Sequence, residues 1–63
     1  MYKAGYVLDT SAKLAEAQRN QQHVEIQKDG VHQHSGLIES FDDDAVRING
    51  GYFNRSFYLF KVR

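Results

Sequence analysis

Cysteine is absent from this chain, neither sign of charge is in excess, and no long apolar run occurs. Each lack removes a class of protein. Without cysteine there is no disulfide and no thiolate metal site, which is compatible with the expected location, the cytoplasm. Eight Lys and Arg balance eight Asp and Glu, so the broad attraction of a basic nucleic-acid binder for phosphate is missing, and any RNA contact has to be local. No stretch approaches the roughly 20 apolar residues that span a bilayer, and no signal-peptide pattern opens the chain, so a soluble protein with no membrane partner is expected. No nucleophile, base and orienter set, no glycine-rich phosphate loop and no paired buried carboxylates can be made out. The expectation is a protein that is not an enzyme and carries no cofactor.

What is present fits one domain spanning residues 1–63. A chain this short buries only about 60% of the surface that its unfolded form exposes. Such chains lean on disulfides, a metal or association, and with cysteine gone, association with copies of itself is the leading expectation.

The first ten residues read as an N-terminal arm in which Tyr2, Ala4, Tyr6 and Leu8 alternate against Lys3, Gly5 and Val7, as in a short strand or an extended segment. Asp9, Thr10 or Ser11 then offers an N-cap to a helix over residues 11–20. Its apolar residues, Ala12, Leu14, Ala15 and Ala17, form a thin stripe that has to pack on something larger. From His23 the period changes to two. Val24 and Ile26 share one strand face, and Asp29-Gly30 is a two-residue hairpin signal because both residues tolerate positive φ. The second strand carries Gly36 in its middle, where the missing side chain permits a bend. "DDD" ends it, "AVRI" forms the next strand, and "NGG" turns into "YFNRSFYLFKVR". The predicted fold is mainly β: a short helix, then a meander of four or five antiparallel strands over residues 23–63 that curls into a small barrel.

Five of the eight aromatic residues lie between Tyr52 and Phe60. "FYLF" is apolar at both strand parities, so a half-exposed strand does not suit it. One face is expected in the core and the other against a neighbouring subunit, which makes Phe57, Tyr58, Leu59 and Phe60 the predicted interface of a homo-oligomer. The alternative is a lone mini-domain with an uncovered patch.

This order of elements, with Gly30, Gly36 and the run Gly36-Leu37-Ile38-Glu39-Ser40-Phe41-Asp42, resembles the Sm-like family, most closely its bacterial Hfq branch. The resemblance implies a five-stranded, strongly bent antiparallel barrel whose subunits join edge to edge into rings that bind single-stranded RNA. It implies that Asp42 holds the turn after the second strand, with Ile38 and Phe41 flanking the bend. The family's two glycines are five apart and these are six apart, so an extra residue is expected as a bulge within "VHQHS". The resemblance puts Asp44 where the family has an aromatic that stacks on uridine. It puts Asn54-Arg55-Ser56 where a lysine-histidine pair meets RNA, so Arg55 is a candidate phosphate contact and Asn54 a base contact. Arg19 and Gln22, in "RNQQH", are further RNA candidates; the alternative for them is a plain polar helix end.

Other clusters have two readings each. Asp42, Asp43 and Asp44 with Glu39 suit a hard cation or a solvated turn. His32 and His34, two apart on a strand with Glu25 expected opposite His34 and His23 nearby, suit zinc or an ordinary polar hairpin face. The leading functional expectation is a ring-forming module that binds single-stranded RNA. The alternative is a structural or protein-interaction barrel, of accessory or phage-borne type, that lacks the RNA pocket.

Overall fold

The computed structural model describes all of residues 1–63. Helix α1 covers Ser11–Arg19, one residue shorter than expected. Of the three cap candidates the chain uses Thr10, whose Oγ1 accepts the Lys13 N–H at 3.2 Å. Its far end closes with Gln21 at φ 51°. The Gln21 N–H donates to the Gln18 carbonyl and the Gln22 N–H to the Ala17 carbonyl, the bonding of a Schellman cap. Glutamine rather than glycine holds the left-handed position, so no composition signal marked it. Leu14 and Ala17 are buried, whereas Ala12 is exposed; the apolar stripe is narrower than the sequence suggested.

Five strands follow: β1 (His23–Lys28), β2 (Val31–Phe41), β3 (Ala45–Ile48), β4 (Gly51–Asn54) and β5 (Leu59–Val62). All pairings are antiparallel, in the order β4-β3-β2-β1-β5. The short helix and the five-stranded antiparallel sheet match the expectation; β1 to β4 form a meander, whereas β5 returns to pair with β1. The predicted closure is not found: β4 and β5 stand at opposite ends of the order and do not pair, so the sheet stays open.

Two tight turns set the register. Asp29 and Gly30 have φ of 54° and 77°, and Asn49 and Gly50 have 50° and 77°, the paired positive values of a type I′ turn that matches strand twist. The eleven-residue β2 serves both halves of the sheet. Its pairing with β1 slips between Ile26 and Gln27, which face His34 and His32 and leave Gln33 as the extra residue. That is a bulge inside the "VHQHS" segment, where one was expected. A second slip, between Ile38 and Ser40 against β3, leaves Glu39 unpaired. Bulges raise local twist and bend a strand, and two of them in β2 curl the sheet around its core. Between them, Gly36 is buried against β3, where a Cβ would come within 2.8 Å of Asn49 Nδ2 and 2.9 Å of Ile48 Cγ2. The glycine is required by the closeness of that neighbour.

The core is one cluster of Leu8, Leu14, Ala17, Val24, Ile26, Ile38, Val46, Ile48, Phe60 and Val62. Leu8 belongs to the arm, which lies along the outer edge of β5. The Gly5 N–H donates to the Val62 carbonyl at 2.6 Å, the Val62 N–H to the Tyr6 carbonyl at 2.9 Å and the Leu8 N–H to the Phe60 carbonyl at 2.8 Å. The arm thus covers the edge of the C-terminal strand, a partner within the chain that the sequence did not single out. Phe60 points into this chain's own core. "FYLF" is not one strand: Phe57 and Tyr58 belong to the turn before β5, so strand parity does not apply across the four.

Candidate functional site

The turn between β4 and β5 holds four of the residues singled out by sequence, Asn54, Arg55, Phe57 and Tyr58. Asn54 ends β4 and organises the four residues after it. Its side-chain Oδ1 accepts the Ser56 N–H at 2.7 Å, and its carbonyl accepts the Phe57 and Tyr58 N–H groups at 3.1 and 3.2 Å. Arg55 then turns back into the fold. Its Nη1 donates to the Asp42 carbonyl at 2.7 Å and to Ser11 Oγ at 3.0 Å, and its own N–H donates to the Asp44 carbonyl. One guanidinium thus joins the start of α1 to the acidic turn.

That turn is built by Asp42. Its Oδ1 accepts the N–H groups of Asp44 and Ala45, each at 2.8 Å, and these bonds hold its carboxyl below the ordinary value of 3.8. Asp43 and Asp44 point to solvent. A peptide chain that reverses within three residues leaves N–H groups unpaired, and a short carboxylate accepts two of them; that local chemistry accounts for an aspartate at this position.

Gln22 is engaged as fully as Arg55. Its amide accepts the Tyr2 N–H at 3.0 Å and donates to the Tyr2 carbonyl at 2.8 Å, tying the arm to the end of α1. Arg19 makes a loose ion pair, with Glu16 Oε1 3.9 Å from its Nη2. The four are not brought together: Arg55 meets the first residue of α1 and Arg19 is its last, about 12 Å apart along the axis at 1.5 Å per residue.

The histidines part company for a reason that periodicity alone missed. Because Gln33 is bulged, His32 and His34 point to opposite faces. His32 Nδ1 lies 2.9 Å from Glu25 Oε2; a carboxylate only accepts, so this nitrogen carries the proton. Bonds from Gln27, first, and His32 hold the Glu25 carboxyl below its usual range. Glu25 faces Ser35, not His34, which corrects the expected register. His34 lies opposite Ile26, stacks on Phe53 with centroids 5.7 Å apart, and has Asn49 Nδ2 at 3.3 Å. No three histidine, aspartate or glutamate side chains gather where they would hold a metal ion.

Beside the β4–β5 turn a cleft of about 140 Å³ opens between Leu8, Asp9, Arg55, Tyr58, Leu59 and Phe60. Tyr58 forms one wall, braced edge-on by Phe53 at 5.5 Å and by the Lys28 ammonium 5.8 Å from its ring centre. Asp9 on the rim accepts from Lys13 Nζ at 2.8 Å, and this bond keeps its carboxyl below the ordinary range. In the turn Phe57 stands 66% exposed, and Leu59, in the cleft wall, 40%. The cleft was not foreseen, because Leu8 and Asp9 reach it only through the arm. On the outer face of β3 and β4, Arg47 lies 5.3 Å from the Tyr52 ring centre and its Nε is 3.1 Å from Glu39 Oε1. That N–H is not aimed at the carboxylate, and Nε is buried without an acceptor.

No helix is long and apolar enough to cross a membrane. No protein-family model, no curated protein and no solved structure matches this chain.

Proposed function

We propose that this chain is a non-enzymatic protein-interaction module on a strongly bent, Sm-like β-fold, whose binding surface is the turn between β4 and β5. The observation that carries the reading is how that turn divides its residues. Asn54 Oδ1 and Arg55 Nη1, on the two residues that sequence offered to RNA, are engaged within the chain, while Phe57 is presented to solvent. Gln22 is engaged in the same way, and zero net charge supplies no phosphate attraction in compensation. A solvent-facing aromatic ring on a turn held by its own hydrogen bonds is the kind of feature that anchors protein partners.

The Sm-like assignment is supported by the helix, the bulged second strand and its Gly36 bend, and the Asp42 turn. The rival is the RNA-binding ring. Edge-to-edge ring pairing through β5 would first have to displace the arm from that strand.

Filter binding with oligo-U and oligo-A at low and moderate salt separates the two. The expected outcome is no retention of either RNA at both salts. Micromolar, salt-sensitive retention that is lost in Arg19→Ala would establish the RNA reading instead.

A further inference from the structure

We propose that Asn49 is a self-modification site: when the turn between β3 and β4 opens, the Gly50 backbone nitrogen attacks the Asn49 side-chain amide, and the product cannot remake the turn. The fold holds both reacting groups back, so the conversion marks a chain that has opened.

The reactants are neighbours in sequence. Asparagine is among the thermolabile residues, and Asn49 alone is followed by glycine; Asn20 precedes Gln21 and Asn54 precedes Arg55. Glycine has no side chain to shield its nitrogen, and its backbone freedom lets that nitrogen reach the amide carbon of the residue before it. The Gly50 nitrogen gives up its proton and bonds to Asn49 Cγ, the Cγ–Nδ2 bond breaks, and ammonia leaves with that proton. Water then opens the ring at either carbonyl, leaving aspartate or isoaspartate. The step needs no oxidant and no co-reactant besides water.

In the closed turn neither reactant is free. Asn49 Nδ2 lies 3.0 Å from the Ser35 carbonyl and 3.3 Å from His34 Nε2. A carbonyl only accepts, so this atom is the amide nitrogen, and it donates to both. The two bonds fasten the side chain to β2. Gly36 leaves the room for it, since a Cβ there would come within 2.8 Å of Nδ2. The Gly50 N–H donates to Glu39 Oε2 at 2.9 Å. A carboxylate beside that N–H favours the protonated nitrogen over the anion that attacks, so Glu39 opposes the reaction.

The turn leads into β4, the end strand of the sheet, and its side-chain bonds lie at the surface. Segments held in this way open locally, without unfolding of the whole. After conversion the turn does not close as before. Either product puts a carboxylate where the amide was; it has no proton for the Ser35 carbonyl, and it stands in the same turn as the Glu39 carboxylate. Isoaspartate also adds a methylene to the backbone of a two-residue turn that sets the β3–β4 register.

Mass spectrometry of the full chain, held in warm, mildly alkaline buffer, tests the proposal by following the change from amide to acid at Asn49. In the folded protein the change is expected to run roughly tenfold or more slower than in guanidinium chloride, with Asn20 and Asn54 remaining amides. Glu39→Ala, checked for folding by circular dichroism, should speed the change several-fold in the folded protein and leave the unfolded rate alone. Should that variant not fold, His34→Ala, which removes one acceptor of the amide, takes its place with the same expectation. Equal folded and unfolded rates in wild type overturn the proposal, and so does an unchanged or slower folded rate in the variant. For the product, urea midpoints of two aspartate variants are compared. Asn49→Asp loses a donor and should lower the midpoint, whereas Asn54→Asp, where the side-chain oxygen accepts the Ser56 N–H, should stay near wild type. An Asn49→Asp midpoint as high as that of Asn54→Asp overturns the claim that the product cannot remake the turn.

Discussion

Asp42 shows how a single carboxylate shapes this fold. It accepts two backbone N–H groups in the turn, and because those bonds favour the charged form its folded-state value lies below 3.8. A group depressed on folding contributes stability in full above its unfolded value. That contribution is lost as pH falls from about 3.8 through the folded value. Asp9 and Glu25, also depressed, act in the same direction. Thermal melts from neutral to acid pH should therefore show wild-type stability declining on the acid side, with a shallower decline in Asp42→Asn. The amide oxygen of asparagine still accepts both N–H groups but has no proton to gain. Equal acid slopes for the two proteins would contradict this role.

The elements were legible in the sequence wherever their cause is local. Thr10, Asp29-Gly30, Asn49-Gly50 and Gly36 act through neighbours or through the adjacent strand, and the residue type at each position announces the backbone that it takes. The arm was ambiguous between strand and extended segment because its pairing partner, β5, lies more than fifty residues away. The engagement of Arg55 was hidden for the same reason: its acceptor Ser11 is 44 residues distant, and an arginine bound inside a fold reads in sequence like one free for phosphate. The bulge was expected, but its consequence for histidine parity was not, since a single inserted residue swaps the face of every side chain beyond it. The arm gives an element-scale prediction. Gln22→Ala removes two hydrogen bonds to Tyr2, each contributing about 0.5–1.5 kcal/mol. Amide exchange at Gly5 and Leu8 should accelerate by about tenfold, while protection in the β1–β2 hairpin stays unchanged. Unaltered exchange at Gly5 would mean that the β5 bonds hold the arm without Gln22.

At the scale of the whole molecule the margin is thin. Native domains hold about 0.05–0.15 kcal/mol per residue, so 63 residues retain roughly 3–9 kcal/mol. Leu14 is fully buried and is the largest side chain that α1 contributes to the core. Truncating such a leucine costs about 2–5 kcal/mol, which takes a large part of that total. Leu14→Ala is thus expected to leave much of the chain unfolded at moderate temperature, seen as lost β-sheet dichroism and a lowered urea midpoint. A variant as stable as wild type would show that α1 sits on the sheet without supporting it.

The arm's position on β5 also orders events in time. A growing polypeptide has residues 5–8 available long before residues 60–62 exist, yet the arm has no strand to dock against until residues 60–62 are made. The hairpins can assemble first, because each closes a short loop, while the arm must wait to close the longest one. Until it does, β5 is an uncovered margin open to any passing strand. The last contact made is the one that seals the newborn fold against its siblings.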